Sequence, residues 1–485
     1  MKYFRSFCFL FVFSTTIFSA AFAEWTTITE GIDYQEFTLS DPNNVFVTRM
    51  DRSNTDCIID SCIAQGKLIS GREVVSGMAN RYEDIIGYWG NTWGNQYDVV
   101  SAINGDGFSS DQPTNGQITS GWYAKRFNEF TGAGFVWTLN RDAFLAECVR
   151  HVNSKNKIVY PSSGQDQNIN GINTTRGTDQ IIIYTPQYNS YTPSQSDGAE
   201  VLIELSRPLL IIPLSNYVSG TVKEIRQNTG TTPIPFDHVV LSADGAAAAK
   251  LLNNVSVGSE VRISQEITHF ESDCSTNASG DFSKTYSCVG YMAKVFLKDS
   301  VIQSDPSPVK HPRTAVAYND DYIFFVVCDG RSGVSVGMTY TELGTFCLNT
   351  LEATHGINQD GGGSSTLWVD GEVKNDPSDG SERYVTNGLM MIKLKGKNQS
   401  TKFEGNDLVR ASGSVPVRLG PGTNYAVTGT ASNGQEGTIT EHSLNGISGK
   451  GGTWWKWKFG STEGWSLESS LADMESGINS IWLIQ

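Results

Sequence analysis

The stretch TYTELGTFCLNTLEATHGINQDGGGSSTLWVDG, residues 339–371, joins a helical pattern to a glycine-rich loop and an apolar strand. Thr339 and Glu342 have the spacing of a capping box, and apolar residues follow at helical spacing. The pattern predicts a helix over residues 339–355 that Gly356 ends. The glycine-rich loop then lies between this helix and a hairpin with an Asp370-Gly371 turn. A second helix is predicted over residues 141–151, RDAFLAECVRH.

Outside these helices the chain alternates short β-like runs with turns, such as EVLIEL, LLIIPL and MAKVFL. The 49 glycines and the 11% content of aromatic residues favour a strand- and turn-rich globular fold over a disordered chain. We expect an α+β fold, with one large β-rich domain and a few helices over residues 24–395. A polar segment predicts a linker at residues 396–406, and short strands around tight turns predict a small all-β barrel at residues 407–475.

The N-terminus has the pattern of a secretory signal peptide, residues 1–23. Lys2 and Arg5 precede an apolar run from Phe7 to Phe18, and Ala21-Phe22-Ala23 supplies a cleavage site of small residues. This pattern predicts a secreted, periplasmic or envelope-associated protein with no transmembrane segment after cleavage. Cleavage removes two cations and no acid, so the formal net charge falls from −15 to −17. The acidic balance argues against nucleic acid as a partner.

The mature chain would carry seven of the eight cysteines into an oxidising compartment. The close spacings of Cys57 with Cys62 and of Cys274 with Cys288 favour two local disulfides, although spacing alone does not fix connectivity. No C-x-x-C or paired histidine pattern indicates zinc, so neither a metal nor another cofactor is predicted. Carboxylates beside a phosphate could still hold a divalent cation.

The loop DGGGSST, residues 360–366, could be a tight turn or a binding site. Glycines can bring backbone N–H groups close to an anion, and the three hydroxyl groups that follow add further donors. Beside such a site Asp360 could act as a general acid or base, a cation ligand or an acceptor for a sugar hydroxyl. In the alternative interpretation Asp360 simply caps backbone groups of the turn.

Charged residues follow apolar strands at two other places. Asp329 and Arg331 come after YIFFVVC, and Asp106 comes after VVSAING. Strand ends are common positions for catalytic side chains on a rigid scaffold. Arg313, Arg331 and Arg383 supply guanidinium groups suited to phosphate, although each could instead form a surface ion pair.

Several motifs occur in a fixed order: AINGDGF (102–108), INTTRGTDQIIIYTP (172–186), PRTAV (312–316), DGR (329–331), GMTYTEL (337–343), DGGGSST (360–366), NDPSDGSER (375–383) and NGL (387–389). This series resembles the phosphodiester glycosidase family over residues 95–395. The resemblance implies a hydrolase that cleaves a glycosyl phosphodiester of the N-acetylglucosamine-1-phosphodiester type. Two positions depart from the family pattern: Gln359 stands where leucine is usual, and NGDGF stands where NGGFF is commoner.

The resemblance also implies which residues form the site. The implied catalytic residues are Asp329 and Asp360 in carboxyl roles, Arg313 and Arg331 on the phosphate, and Glu342. The implied substrate-binding residues are Asn104, Asp106, Arg176, Gly361, Gly362, Gly363, Ser364, Ser365, Thr366, Asn375, Asp379, Glu382 and Arg383.

Some of these residues have structural explanations as well. Glu342 could serve only as the capping-box residue of its helix, and the acids and arginine of residues 379–383 could form a turn around Pro377. The reaction also stays open. Cleavage at the sugar carbon would use a carboxyl pair, whereas cleavage at phosphorus would depend mainly on the arginines and the glycine loop.

The C-terminal segment VPVRLGPGTNY, residues 415–425, together with Trp454-Trp455-Lys456-Trp457 and Gly464-Trp465, resembles a bacterial SH3-like domain. Pro416 stands where that family commonly has asparagine. The resemblance implies binding to cell-wall peptidoglycan or glycan, although such domains also serve as spacers. The tryptophans could instead form only the core of the barrel.

We therefore expect a secreted hydrolase of a glycosyl phosphodiester in an envelope polymer or exopolysaccharide, held near the cell wall by its C-terminal domain. The alternative is a non-catalytic protein of envelope or exopolysaccharide assembly that binds a glycan or sugar phosphate in the same site. A third hypothesis is a secreted β-rich structural protein.

Overall fold

The computed structural model of the protein describes residues 24–127, 134–146, 149–151, 153–209, 217–269, 282–290 and 294–474. β-Strands dominate, and the described residues contain three α-helices: α1 (Val75–Tyr82), α2 (Gly245–Asn254) and α3 (Tyr340–Asn349). Short 3-10 helices occur at Ala64–Gly66, Asn153–Lys155, Phe282–Lys284, Gly362–Ser364 and Glu468–Ser470. The predicted β-rich α+β fold is confirmed. The predicted signal peptide lies outside the described residues.

Sheet A has eight strands and positions two of the strand ends that the sequence singled out. Every neighbouring pair in it is antiparallel. Arg313 pairs with Cys328, so the start of one strand lies beside the end of the next, and Asp329 follows at the same end. In sheet order the strands are Thr26–Thr29, Ile32–Leu39, Asn43–Asp51, Tyr322–Cys328, Arg313–Tyr318, His355–Asn358, Val295–Lys298 and Val301–Ile302.

Sheet B shares an apolar core with sheet A. Val316 and Ile357 of sheet A and Ile103 of sheet B belong to this core, and the other face of sheet A packs on Leu343 and Phe346 of α3. Each large apolar side chain that is fully buried in this way contributes about 1.5–3 kcal/mol. In sheet order the strands of sheet B are Glu372–Val373, Leu367–Val369, Thr92–Asn104, Asn387–Gly396 and Cys57–Ile63, and Gly87–Trp89 also pairs with Thr92–Asn104.

Two further sheets complete the large domain. Sheet C has the strand order Trp122–Lys125, Gln117–Thr119, Thr285–Val289, Gly134–Thr138 and Ala143–Ala146. Sheet D has the strand order Gln165–Asn168, Lys157–Tyr160, Glu260–Ser264, Val218–Gln227, Ala199–Leu205, His238–Ala243, Ile181–Tyr184 and Gly171–Ile172. Two-stranded pairs are formed by Val149–His151 with Ile267–His269 and by Phe108–Ser109 with Gln112–Pro113.

The C-terminal residues form sheet E. Trp455 and Trp457 are buried in its own core, whereas Trp454 and Trp465 belong to the apolar core of sheet D. In sheet order the strands are Val427–Ala431, Val415–Arg418, Thr462–Leu467, Gly452–Phe459, Glu436–Ile439, Leu408–Ala411 and Leu471–Asp473, and Ile447–Gly449 also pairs with Gly452–Phe459. The strand-rich C-terminal region is thus present, and it packs directly on the large domain.

The segment predicted as a linker, residues 396–406, packs against sheet E. The amide of Ser400 donates to the carbonyl oxygen of Gly446 at 2.7 Å, and Phe403 is 3% exposed. The rings of Phe403 and Trp455 meet edge to face at 5.1 Å between centroids. This segment therefore has fixed contacts along its length.

The two helix predictions differ in outcome. The capping box of Thr339 and Glu342 is present at the start of α3, but α3 ends at Asn349. Glu352 adopts a φ of 55°, and His355–Asn358 then joins sheet A, so Gly356 lies in a strand instead of ending the helix. The helix predicted over residues 141–151 is wrong. Ala143–Ala146 pairs with Gly134–Thr138, which shows tertiary pairing overriding local helical spacing.

The predicted disulfide between Cys57 and Cys62 is wrong. The two residues occupy opposite ends of one strand, roughly 16 Å apart at about 3.3 Å per residue, and a disulfide needs Cα atoms within about 7 Å. Both are free thiols, and the Cys62 thiol contacts the Met78 sulfur at 3.5 Å. Cys274 lies outside the described residues, so its pairing with Cys288 stays a prediction. None of the described helices has the length and apolar character needed to cross a bilayer.

Candidate active site

One cavity of about 350 Å³ brings together distant parts of the chain at the ends of sheets A and B. Of the predicted site residues it contains Asp106, Arg313, Arg331, Asp360 and the first two glycines of the loop. Its full lining is Asp106, Gly107, Gly290, His311, Arg313, Arg331, Tyr340, Asn358, Gln359, Asp360, Gly361 and Gly362.

Arg313 is fixed in the cavity wall by neutral partners. Its Nε donates to the carbonyl oxygen of Met338 at 2.8 Å, and its Nη2 donates to that of Val309 at 3.3 Å. The guanidinium carbon lies 4.0 Å from the centre of the Tyr340 ring, which is within cation–π range. Because these partners carry no formal charge, the positive charge of Arg313 stays available to an anion in the cavity.

Arg331 reaches the glycine loop from just beyond the end of the neighbouring strand, Tyr322–Cys328. Gly362 has a φ of 67°, and a Cβ added to it would lie 2.8 Å from Nη2 of Arg331. A side chain at position 362 would therefore be strained and would push Arg331 aside. Nη1 of Arg331 makes a long contact, 3.5 Å, with the neutral Ser378 hydroxyl. Arg331 thus also offers an unneutralised charge to the cavity.

Arg383 approaches the next glycine. A Cβ at Gly363 would overlap both Nη2 of Arg383 and the Asp379 carboxylate. Arg383 and Asp379 form an ion pair at 2.6 Å, and Nη1 of Arg383 donates to Oγ of Ser364 at 3.3 Å. Arg383 and Asp379 thus support the glycine loop from a position outside the cavity lining.

The backbone N–H groups of the loop are used within the protein. The Gly361 amide donates to Oδ1 of Asp360 at 3.0 Å, and the Gly362 amide donates to the Pro312 carbonyl oxygen at 3.0 Å. The amides of Ser364 and Ser365 donate to the carbonyl oxygens of Gly361 and Gly362, at 3.3 and 3.2 Å. An anion-binding nest needs N–H groups directed at the ligand. The predicted anion nest is therefore wrong for these four amides, and guanidinium groups take its place.

Asp360 caps the turn and also lines the cavity. Its Oδ1 accepts from the Gly361 amide at 3.0 Å, and its Oδ2 accepts from the Ser364 hydroxyl at 2.6 Å. The capping interpretation of Asp360 therefore describes its bonded contacts. A carboxylate has about four acceptor positions, so two remain for a ligand.

Asn104 ties the loop to sheets A and B. Its Nδ2 donates to the Asp360 carbonyl oxygen at 2.7 Å. Its Oδ1 accepts from the Thr314 hydroxyl at 2.8 Å and from the Thr366 amide at 3.2 Å. Asn104 is fully buried and is not among the lining residues, so it positions the loop and does not contact substrate directly.

Asp106 is a buried carboxyl group in the cavity wall, at 2% exposure. Its Oδ2 accepts from the Asn115 amide N–H at 2.8 Å, and the Asn115 side chain adds longer bonds at 3.2 and 3.3 Å. Burial raises the pKa of Asp106 to about 6 against the lowering effect of these bonds, and the nearby Asp360 charge raises it further. Asp106 can therefore carry a proton in weakly acidic solution.

Asp329 faces the loop between the sheet B strands Glu372–Val373 and Asn387–Gly396, and it is not among the cavity-lining residues. Its Oδ1 accepts from Nδ2 of Asn375 and from the Asp376 amide, both at 3.1 Å. Asn375 in turn donates to the Ser365 carbonyl oxygen at 3.0 Å and accepts from the Leu367 amide at 2.8 Å. Burial raises the pKa of Asp329 to about 6. The predicted direct carboxyl role of Asp329 does not fit this position, which is that of a brace between loops.

Glu342 and Glu382 also lie outside the cavity lining. Glu342 completes the capping box of α3 and pairs with Lys310 at 2.6 Å. Burial tends to raise the pKa of Glu342, but the bonds from Lys310 and Thr339 outweigh it and lower the pKa. Glu382 accepts from the Ser76 amide at 2.9 Å in the first turn of α1.

Arg176 belongs to a different part of the surface. Its guanidinium group pairs with the Asp197 carboxylate at 2.5 Å and donates to the Ser242 hydroxyl at 2.9 Å, beside sheet D. Both contacts already use the charge and the planar fork of the side chain. The structure therefore does not bring Arg176 together with the cavity residues.

Three polar residues of the lining were not predicted from the sequence: His311, Tyr340 and Asn358. His311 borders the PRTAV motif, and Tyr340 lies inside GMTYTEL, so the motifs held a partial signal for both. Burial and the charges of Arg313 and Arg331 lower the pKa of His311. A neutral imidazole in the wall can exchange hydrogen bonds with a ligand without adding charge.

A second polar cluster lies between sheets D and E. The side chains of Glu204, Asp237 and His442 place ligand-type atoms within 4.8 Å of one another. Their carboxylates already have cationic or imidazole partners: Lys456 lies 3.2 Å from Glu204, and His238 lies 2.6 Å from Asp237. The carboxylates of this donor set therefore already have partners. The positive charge of the adjacent Lys456 also disfavours a metal ion.

Comparison with known proteins gives a partial match. Residues 215–392 match the family model for phosphodiester glycosidase, so the upstream motifs that carry Asp106 and Arg176 precede the matched segment. A curated relative, the SPbeta prophage-derived uncharacterized protein YomE of Bacillus subtilis (strain 168), is 35% identical over 97 residues. That match covers 20% of this chain and only 15% of the relative.

Solved structures give weaker similarities. A hypothetical protein from Synechocystis aligns with 75% of this chain and 62% of its own, with 17% identity and a TM-score of 0.49. The catalytic domain of zebrafish N-acetylglucosamine-1-phosphodiester alpha-N-acetylglucosaminidase, auto-inhibited by its pro-peptide, aligns with 74% of this chain and 81% of its own, with 12% identity and a TM-score of 0.31. Less than half of this chain, residues 215–392, is thus similar to the phosphodiester glycosidase family, whose name denotes a glycosidase-type hydrolase.

Proposed function

We propose that the protein is a hydrolase that cleaves a glycosyl phosphodiester, of the N-acetylglucosamine-1-phosphodiester type, in an envelope polymer or exopolysaccharide. One observation carries the proposal: Arg313 and Arg331 line the same cavity as the carboxyl groups of Asp106 and Asp360. Cleavage of a sugar–phosphate bond needs positive charge at the phosphate oxygens and a group that transfers a proton near the bond. The family match over residues 215–392 contains both arginines and Asp360.

The phosphate subsite consists of the two arginines. Arg313 is held in place by the Met338 carbonyl oxygen and by the Tyr340 ring, so its orientation is set before the substrate binds. Preorganised charge stabilises a transition state better than charge that must first be moved into place. Arg331 approaches over Gly362 and completes a two-sided clamp on the phosphate oxygens.

The proton-transfer roles fall to Asp106 and Asp360. Asp106, with its pKa raised to about 6, donates a proton to the leaving oxygen, and that proton is recovered from water after hydrolysis. Asp360 uses its remaining acceptor positions to orient the attacking water or a sugar hydroxyl. Both cleavage at the sugar carbon and cleavage at phosphorus are compatible with these roles.

The direct test is turnover of an N-acetylglucosaminyl phosphodiester by the purified protein, with release of free sugar as the measurement. Asp360→Asn and Arg331→Ala should each lower kcat/KM by about 100-fold or more, since both remove charge at the reacting group. Wild-type protein that binds the phosphodiester without cleaving it would contradict the proposal.

The second candidate is a non-catalytic protein that binds a glycan or sugar phosphate in the same cavity. The observation that favours it is the number of hydrogen bonds already made by the two carboxyl groups, from Gly361 and Ser364 to Asp360 and from Asn115 to Asp106. Such carboxyl groups could serve only to shape a binding site. Tight binding of the sugar phosphate with no turnover by the wild-type protein is the outcome expected for this candidate.

We further propose secretion and retention at the cell wall through an SH3-like domain at residues 407–475. The sequence pattern of residues 1–23 and the strand-rich sheet E are the observations behind this proposal. The whole chain is the suitable probe, because sheet E on its own would expose Trp454 and Trp465, which are buried in the core of sheet D. Co-sedimentation of the protein with purified peptidoglycan supports retention, and recovery in the supernatant contradicts it. Mass determination of the exported chain tests cleavage after Ala23.

A further inference from the structure

The cavity lining also contains buried polar atoms that lack a partner. Among the described residues, Nε2 and Oε1 of Gln359, Oδ1 of Asn358 and Nδ1 of His311 are buried without a hydrogen-bond partner. All three residues line the cavity that contains Arg313 and Arg331. Four such atoms in the lining of one cavity require an explanation, because roughly 90% of buried polar groups in proteins have a partner.

Two hydrogen bonds hold the backbone of Gln359 in place, so its side-chain amide does not reach solvent by local movement. The backbone N–H of Gln359 donates to the Thr314 carbonyl oxygen at 2.7 Å, and the backbone carbonyl oxygen of Gln359 accepts from the side chain of Asn358. Gln359 is 2% exposed. A rigid residue with a free donor and a free acceptor at a cavity wall has the character of a recognition group.

We propose that Gln359 determines sugar specificity, with Asn358 and His311 beside it, by pairing with neighbouring donor and acceptor substituents on the glycosyl group. This inference rests on the proposed function. The arginines take the charged phosphate, so these three neutral side chains take the neutral part of the substrate. A hydroxyl pair or an acetamido group supplies the required donor and acceptor. Leucine, which is usual at this position in the resembled family, supplies neither.

The experiment compares wild-type protein with Gln359→Leu on methyl phosphodiesters of six sugar 1-phosphates: N-acetylglucosamine, glucose, and the 2-, 3-, 4- and 6-deoxy analogues of glucose. A site that pairs with a substrate substituent rejects an analogue that lacks it. We expect Gln359→Leu to lower kcat/KM by about 10–100-fold on the preferred sugar and by less than about twofold on one deoxy analogue. The two parent sugars distinguish an acetamido partner from a hydroxyl partner.

Gln265→Leu is the matched control. Gln265 is also fully buried with both amide atoms unpartnered within the described residues, but it does not line this cavity. The Gln265→Leu variant should show wild-type sugar selectivity. If Gln359→Leu changes thermal stability but leaves selectivity as in wild type, or lowers kcat/KM equally on every sugar, the inference is overturned.

Failure of the proposed function has a different signature. If wild-type protein cleaves none of the phosphodiesters, titration calorimetry with the corresponding sugar 1-phosphates replaces the kinetic measurement. Weaker binding of the preferred sugar phosphate to Gln359→Leu, with unchanged binding of one deoxy analogue, would then support the specificity role although the hydrolase proposal had failed. Equal affinities of both proteins for the whole series would overturn the specificity role as well.

Discussion

The carbonyl oxygen of Pro312 accepts a hydrogen bond from the Gly362 amide at 3.0 Å, which joins the glycine loop to the residue before Arg313. A Cβ at Gly361 would approach the same oxygen to 2.8 Å. The glycine loop and the arginine strand therefore lie too close for any side chain between them.

Gly361→Ala should separate the loop from the Arg313 strand. Because the clash is with backbone and not with a flexible side chain, relief requires a shift of Asp360 or Arg313. We expect kcat/KM to fall by about 100-fold, since displacement of a reacting group by about 1 Å has effects of this size. Gly371→Ala is the control for the loss of a glycine: it has a positive φ but open space around it, so it should affect stability and leave kcat/KM unchanged.

The rate should depend on the protonation of Asp106. With a pKa raised to about 6, Asp106 loses its proton as the pH rises above that value. We expect kcat to fall about tenfold per pH unit on the alkaline side. In Asp106→Asn this alkaline limb should be absent and kcat should be about 100-fold lower. A pH–rate profile of both proteins is the measurement, and an unchanged alkaline limb in the variant would remove Asp106 from the mechanism.

Stability should be highest near pH 4 and should fall as the pH rises from about 4 to 7. Burial raises the pKa of Asp60 to about 7 and those of Asp106 and Asp329 to about 6, from 3.8. In that interval the folded state holds more protons than the unfolded state, so stability falls as the pH rises towards 7. Asp237 and Glu204 act in the opposite sense: their pKa values are lowered, so their stabilisation is lost as the pH falls below about 4. Urea denaturation between pH 3 and 8 measures the resulting maximum.

Asp60→Asn tests one contribution to this profile. Asp60 is fully buried and accepts from the Ser61 amide at 2.7 Å and from the Ser120 amide at 2.9 Å. An asparagine keeps an acceptor but cannot ionise, so the decline of stability between pH 4 and 7 should become shallower. A decline as steep as that of the wild type would show that Asp60 does not ionise in this range.

Asp329 should affect the site only through the loop that it braces. Asp329→Ala leaves the Asn375 side chain and the Asp376 amide without their acceptor, at a cost of about 1–3 kcal/mol in the free energy of unfolding. We expect KM to rise because the loop of residues 375–383 loosens, while the pH dependence of kcat stays as in wild type. Asp379→Ala, which breaks a partly exposed ion pair, should cost less than about 1 kcal/mol. A loss of the alkaline limb in Asp329→Ala would assign Asp329 a direct role.

The sequence predicted the helix start and the strand ends well because both have local causes. The capping box of Thr339 and Glu342 needs only residues three apart. The direction of a side chain after a strand end has no such local cause. Asp329 turns towards Asn375 and Asp106 turns into the cavity, although both follow apolar strands. These choices depend on segments far away in the chain, and spacing does not encode them.

The helix predicted over residues 141–151 failed for a related reason. Its apolar spacing suits a helix, but Ala143–Ala146 forms a hairpin with Gly134–Thr138, which in turn pairs with the distant strand Thr285–Val289. The sequence pattern also could not predict that the side-chain amide of Gln359 lacks a hydrogen-bond partner. A substitution away from the usual leucine marks the position, and only the surrounding wall shows that its hydrogen-bonding groups are unused.

Trp454 and Trp465 place side chains of sheet E inside the apolar core of sheet D. A terminal region joined in this way cannot swing away from the large domain without exposing these two tryptophans to water. If sheet E holds the protein to a wall polymer, the cavity would then stand at a constant height above the attachment point. Such an enzyme would cleave only those bonds of an anchored polymer that lie at that distance from the attachment point.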